Sequence, residues 1–164
     1  MVLKKMGANI RELSASHSAE PMGDLLIKSS QLKGITVKKE WVPLLIDEIP
    51  ILMVAGCFAR EKTVFEGAQE LRVKETDRVN SMSKNLTKMG ARIRVSGSSG
   101  SEKIVIDGVK QLKGARVKSF GDHRTAMSMV VAGMAAAGKT YIDDITCVNK
   151  SFPNFLGLIA SLKR

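Results

Sequence analysis

Apolar residues Val79, Met82, Leu86 and Met89 fall at i, i+3, i+7 and i+10, the spacing that lines one face of a helix. Gly90 follows as the C′ residue, where left-handed backbone ends a helix at no steric cost. A second stretch has a different pattern. From Thr125 to Ala137 the chain is apolar nearly all round (Ala126, Met127, Met129, Val130, Val131, Ala132, Met134, Ala135), which predicts a helix enclosed by sheets rather than one lying on a surface. Asp122 is its expected N-cap and Gly138 its stop. The short, partly alternating segments Ala91 to Val95, Lys103 to Asp107 and Ala115 to Lys118 read as strands, divided by Gly97-Ser98-Ser99-Gly100 and by Gly114. Upstream, Ile49 to Phe58 repeats the enclosed helix, with Asp47 as N-cap and Pro50 tolerated in the first turn, before a strand Thr63 to Phe65. Met53, Met82, Met127, Met129 and Met134 are expected to fill the core.

These elements occur twice. Lys4-Lys5-Met6-Gly7-Ala8-Asn9-Ile10 returns as Thr87-Lys88-Met89-Gly90-Ala91-Arg92-Ile93, and Leu32-Lys33-Gly34 returns as Leu112-Lys113-Gly114. Met53-Val54-Ala55-Gly56 returns as Val130-Val131-Ala132-Gly133. The offset shrinks from 83 residues at Gly7/Gly90 through 80 at Gly34/Gly114 to 77 at Gly56/Gly133. A steady one-way drift is what small loop deletions leave in a duplicated unit of roughly 80 residues. The units are expected at about 1–77 and 78–154, with a final helix over 154–162. On this matching, residues 1–6 are only the last turns of the helix that is complete at 79–89, so the chain is expected to be a fragment whose N-terminal remainder supplies further packed elements.

Composition narrows the class. A chain of 164 residues, 44% apolar and 26% charged, is ordinary for one globular domain with a core. The formal charge of +10 admits nucleic acid, an anionic membrane surface or small anions as partners. Five Phe, one Tyr and one Trp form no basic and aromatic alternation, which favours small anions over single-stranded nucleic acid. Cys57 and Cys147 have neither disulfide-framework nor zinc spacing and are expected to be reduced thiols, with no metal bound. The start, Met1 to Gly7, is not followed by an apolar core of signal-peptide length, and no apolar stretch is long enough to span a bilayer, so a cytoplasmic protein is expected.

Charge is densest in Glu70-Leu71-Arg72-Val73-Lys74-Glu75-Thr76-Asp77-Arg78, where six of nine side chains are ionisable just ahead of the amphipathic helix. Such interleaving can be merely a solvated helix entrance. A second charged turn, Gly121-Asp122-His123-Arg124, opens the all-apolar helix, and two charged turns feeding buried helices suggest one anion site. Leu71 to Arg78, Asp122-His123-Arg124-Thr125-Ala126-Met127 and Asp47-Glu48-Ile49-Pro50 together resemble the motifs of the 5-enolpyruvylshikimate-3-phosphate (EPSP) synthase family, in the same order and over essentially the whole chain, but only that family's C-terminal part.

The resemblance implies an α/β fold of repeated βαβαββ units with buried parallel helices (the enolpyruvyl transferase fold, an inside-out α/β barrel), two units being present here. It implies transfer of the enolpyruvyl group of phosphoenolpyruvate to the 5-hydroxyl of shikimate 3-phosphate with release of phosphate, without a cofactor, in aromatic amino acid biosynthesis. The partners it implies are those two anions and the missing N-terminal domain, with neither nucleic acid nor membrane. The isolated fragment is expected to be inactive, because the family's site lies between two domains. By the same resemblance Asp47 is the base at the hydroxyl and binds shikimate 3-phosphate with Lys74, and Glu75 exchanges a proton with the methylene carbon. Arg78, Arg124 and Lys150 match residues that hold phosphoenolpyruvate. His123, between the Asp122 cap and Arg124, is expected on that position alone to stand behind Glu75. Glu70 occupies a place where some relatives carry an uncharged amide. Multiply charged anions call for fixed cations of forked geometry, and adding a hydroxyl across the enol needs one group to take a proton and another to give one. Lys74, Arg78, Arg124 and Lys150 lie at corresponding ends of the repeat and are expected to converge on one basic face. Competing readings are the related UDP-N-acetylglucosamine enolpyruvyl transferase and a basic, non-catalytic module that binds nucleic acid or another polyanion. His17, in a Ser-rich loop, has no role.

Overall fold

A computed structural model describes residues 2–15, 20, 22–97 and 101–162. His17 and the Ser98-Ser99-Gly100 part of the expected loop lie outside the described residues. Helix α1 (Val2–Lys5) leads into an antiparallel pair, β1 (Asn9–Ala15) and β2 (Gly23–Lys28). Then come β3 (Thr36–Val37), α2 (Val42–Leu45), α3 (Ile49–Phe58) and β4 (Lys62–Glu66). After α4 (Arg78–Lys88) the chain forms β5 (Arg92–Ser96), β6 (Lys103–Asp107), β7 (Arg116–Val117), α5 (His123–Ala135), β8 (Tyr141–Ile142) and α6 (Phe155–Ser161).

Strand β3 pairs parallel with β4, and β7 pairs parallel with β8. β6 lies antiparallel to both β4 and β5, so one four-stranded sheet runs β3-β4-β6-β5. Local contacts recur in both halves. The Lys33 N–H donates to the Met6 carbonyl at 2.8 Å, as the Lys113 N–H does to that of Met89 at 2.8 Å. The Arg60 N–H reaches the Leu32 carbonyl and the Ala137 N–H that of Leu112, again both at 2.8 Å. Gly34 and Gly114 stand at the tightest of these crossings, where an added Cβ would collide with the carbonyl oxygen of Lys62 or of Lys139.

The stripe on α4 is the centre of the core. Val79, Met82, Leu86 and Met89 are all buried, together with Ile104 and Ile106 of β6 and Ile49, Met53 and Cys57 of α3. At about 2 kcal/mol for each fully buried apolar side chain, that face supplies more to holding α4 than helix propensity does. Gly90 closes α4 with φ +91°. Polar links then fix the neighbours: the Asn85 amide donates to the Lys118 carbonyl (2.7 Å) and accepts the Lys118 N–H (3.0 Å), tying the end of β7 to α4. The hydroxyls of Ser81 and Thr125 meet at 3.3 Å between α4 and α5.

Three expectations are corrected here. Helix α5 starts at His123 and ends at Ala135, two residues before the expected end, and it is not enclosed on all sides. Thr125, Ala126, Ser128, Met129 and Ala132 are buried, whereas Met134 is 45% exposed and Met127 only half-buried. Asp47 does not cap α3: the N-cap is Glu48, with no side-chain cap bond. Pro50 removes one of the amides an Asp47 cap would need, and two guanidinium groups take the carboxylate instead.

Candidate active site

The N-termini of α3, α4 and α5 meet at one end of the core. Asp77 caps α4 by accepting the Asn80 N–H on Oδ1 at 2.9 Å. Asp122 caps α5 by accepting the Arg124 N–H on Oδ1 at 2.8 Å. Helix N-termini carry partial positive charge and unpaired N–H groups, so their convergence favours anions.

Arg78, the first residue of α4, is the hub. It is 1% exposed, and each guanidinium nitrogen meets a different carboxylate. Nε donates to Asp122 Oδ2 at 2.7 Å, Nη1 to Asp47 Oδ1 at 2.9 Å and Nη2 to Glu75 Oε2 at 2.5 Å. Burial works against the charged form of Arg78, but the Asp122 hydrogen bond and charge, with those of Asp47 and Glu75, hold its pKa above the usual arginine value. Asp122 is 0% exposed, whereas the side chains of Asp47 and Glu75 are 42% and 54% exposed. The buried pair is therefore Arg78 with Asp122, and it presents the other two carboxylates toward solvent.

Arg124 completes the cluster from α5. Its Nη2 lies 2.9 Å from Asp47 Oδ2 and its Nη1 donates to the Asp47 carbonyl at 3.0 Å, while Glu48 lies 3.9 Å from Nη1. Asp47 and Arg124 occupy matching positions of the sequence repeat, 77 residues apart, and here they touch. The Arg124 side chain is half-buried.

The structure thus brings together Asp47, Glu75, Arg78 and Arg124 of the residues singled out from sequence. The side chains of the other three form no hydrogen bond or ion pair with these four: Lys74, beside Glu75 in sequence, and Lys150 are exposed and form no ion pair among the described residues, and no hydrogen bond joins the half-buried His123 to Glu75. The expected basic face is also corrected, because carboxylates of Asp47, Glu48, Glu75 and Asp122 surround the two arginines. Sequence reasoning left Asp122 as a cap alone and overlooked Glu48 and Glu102. The only sequence signal for Asp122 as a buried partner was that it stood two residues from an arginine at the mouth of an apolar helix.

A large cleft of about 660 Å³ lies elsewhere, between Gln31, Phe58 to Glu61 and Gly108 to Lys110 at the other end of α3, and takes no part in this cluster. A smaller apolar cavity of about 270 Å³ opens beside Asp47 and Arg124, walled by Ile51, Met127, Phe152 and Phe155. Among the described residues no three His, Cys, Asp or Glu side chains are grouped to hold a metal ion, and no single helix is long and apolar enough to cross a membrane.

Comparison with known proteins gives the same direction. The sequence model for EPSP synthase (3-phosphoshikimate 1-carboxyvinyltransferase) matches residues 1–159. The 3-phosphoshikimate 1-carboxyvinyltransferase of Geotalea uraniireducens is 46% identical over 159 residues, which are 96% of this chain and 36% of that protein. The one from Gloeobacter violaceus is 44% identical over 163 residues, covering 99% of this chain and 37% of its own length. An EPSP synthase structure from Acinetobacter baumannii superimposes with a TM-score of 0.86 at 37% identity, over 98% of this chain and 37% of that one. The enolpyruvyl transferase NikO from Streptomyces tendae shares the fold, with a TM-score of 0.63 at 16% identity over 98% of this chain and 34% of its own. The chain therefore spans little more than a third of the length of the relatives it matches, and it belongs to the EPSP synthase family.

Proposed function

We propose that this chain supplies one wall of a site that transfers the enolpyruvyl group of phosphoenolpyruvate to the 5-hydroxyl of shikimate 3-phosphate, as the C-terminal part of a longer cytoplasmic enzyme. The observation that carries the reading is the placement of two partly exposed carboxylates, Asp47 and Glu75, on either side of one buried arginine at three converging helix N-termini. In the addition step the substrate hydroxyl oxygen bonds to the enol carbon, its proton passes to Asp47, and Glu75 gives a proton to the methylene carbon. In the elimination step Glu75 takes a methyl proton back, the double bond re-forms, and the carbon–oxygen bond to phosphate breaks, the phosphate leaving with the proton that Asp47 had taken from the hydroxyl.

Arg124, half-exposed at the rim, can fork onto an incoming carboxylate or phosphate directly. Arg78 is reached only if that anion takes the place of Glu75 or Asp47 on its guanidinium, an exchange that would release a carboxyl group at the moment substrate arrives. Lys74 and Lys150, free of ion pairs among the described residues, are available to phosphate groups brought in by closure of the rest of the enzyme. The cluster is poorly suited to a nucleic acid backbone, since its arginines are already matched by carboxylates. The test is complementation in vitro. Phosphate release from phosphoenolpyruvate should need shikimate 3-phosphate, this chain and the remainder of its enzyme together, and release by this chain alone would overturn the two-wall reading.

A further inference from the structure

Residues 74–76, which carry Lys74 and Glu75, belong to no helix or strand. They hang between a 3-10 turn, Ala68–Val73, and the first residue of α4. A proton-transfer group must be held to well within about 1 Å of its productive position, about 3–3.5 Å from its carbon, so something must fix this loop. Arg72 sits at its near end. Its Nη1 donates to Asp77 Oδ2 at 2.6 Å, closing the loop across five residues, and Asp77 in turn caps α4. The rest of the guanidinium grips Glu102, just before β6, with Nε at 3.0 and 2.8 Å from the two carboxylate oxygens and Nη2 at 2.6 Å. Glu102 is buried, and its carbonyl accepts the Ala68 N–H at 3.0 Å, which pins the far end of the 3-10 turn to the same point.

We infer that Arg72 is a positioning residue for enolpyruvyl transfer: by bridging the buried Glu102 to the Asp77 cap it holds the Lys74–Glu75 loop at fixed ends beside Arg78. The inference rests on the functional reading above for what Glu75 does, but its geometry stands independently. Arg72 differs from an ordinary surface ion pair, worth about 1 kcal/mol or less, because one planar group serves two carboxylates at once and one of them is enclosed. A lysine offers a point charge without a fork and could satisfy Glu102 or Asp77 but not both. The Glu102 hydrogen bonds, foremost, push the Arg72 pKa further above its usual value. Arg72 reaches no other carboxylate of the cluster, so it acts through the loop and not on substrate.

The test uses Arg72→Ala, Arg72→Lys and Glu102→Gln, with Lys103→Ala as a control that breaks an ion pair from β6 to Glu66 outside the loop. Turnover is measured in the enzyme reassembled from this chain and its remainder, and amide hydrogen exchange is followed in this chain alone. Arg72→Ala should lower kcat by about 10- to 100-fold while KM for phosphoenolpyruvate stays within about threefold, the mark of a misplaced proton-transfer group. Amides of residues 73–78 should exchange at least about tenfold faster, with α3 unchanged. Arg72→Lys should recover little of either, Glu102→Gln should follow the same pattern more weakly, and Lys103→Ala should alter neither. Unchanged exchange of the loop in a folded Arg72→Ala chain would overturn the inference, as would a rise in KM at constant kcat or an equal loss of protection in α3. If the reassembled wild-type enzyme releases no phosphate, the functional reading fails, and the exchange result alone decides whether Arg72 holds the loop.

Discussion

Replacing Asp122 tests the hub from which the site is built. Its carboxylate does two jobs with two oxygens: Oδ1 caps α5 and Oδ2 meets Arg78 Nε. Asp122→Ala removes the cap, at about 1 kcal/mol, and leaves a buried guanidinium short of its most enclosed partner. Breaking a buried pair from one side costs about 3–5 kcal/mol, and the low end applies because Asp47 and Glu75 remain on Arg78. The expected loss is about 4 kcal/mol, against about 5–15 kcal/mol for a whole domain. Asp122→Asn keeps the cap but turns an amide N–H toward Nε, so about 3 kcal/mol should be lost. Urea unfolding, read from Trp41 fluorescence and circular dichroism with coincident midpoints, measures both. In an Arg78→Met background the cost of Asp122→Asn should fall to about 1 kcal/mol or less. If Asp122→Ala loses only about 1 kcal/mol, the aspartate is a cap and nothing more, and the hub is wrongly described.

Other outcomes follow from single sites. Arg124→Lys in the reassembled enzyme should raise KM for phosphoenolpyruvate by about tenfold or more and change kcat by less than about threefold, because a fork that binds the ground state is lost; the reverse split would place Arg124 in the chemical step. Burial pushes the Cys57 thiol up to about 12, so a thiol reagent at pH 8 should modify Cys147 first and reach Cys57 only on unfolding, as peptide mapping would show. For Asp143, partial desolvation opposes the charge, but the N–H groups of Ser119 and Asp144, both at 2.8 Å, hold its pKa below 3.8. A depressed folded pKa gives stability that is complete above the unfolded value and lost as pH falls through the folded one. The stability advantage of wild type over Asp143→Asn should therefore persist at pH 7 and shrink below about pH 4, and an advantage that grows in acid would contradict the assignment.

What could be read in the sequence was what is local. The α4 stripe, its Gly90 stop and the Asp122 cap depend on residues within a few turns of one another, and all are seen. Burial on every side of α5 was not legible, since periodicity shows what a helix could bury and not what lies against it; Met134 is the example. Asp47 drew the wrong local role because a cap and an ion pair use the same carboxylate, and the deciding partners, Arg78 and Arg124, lie 31 and 77 residues away. Glu102 stood beside a Gly- and Ser-rich stretch that reads as solvent-exposed loop, and only the approach of Arg72 from 30 residues upstream makes it a buried anchor. The family motifs carried the site further than spacing could. They named Asp47, Glu75, Arg78 and Arg124 together, although Arg78 faces carboxylates here.

The central claim, that Glu75 handles the proton at the methylene carbon from its seat beside Arg78, is tested most directly by single-turnover kinetics of Glu75→Gln in the reassembled enzyme. Glutamine keeps the shape and can still accept from Arg78 Nη2, but it neither gives nor takes the proton. Phosphoenolpyruvate binding should stay within about threefold of wild type and the chemical step should slow by about 100-fold or more. A chemical step at near wild-type rate would contradict it.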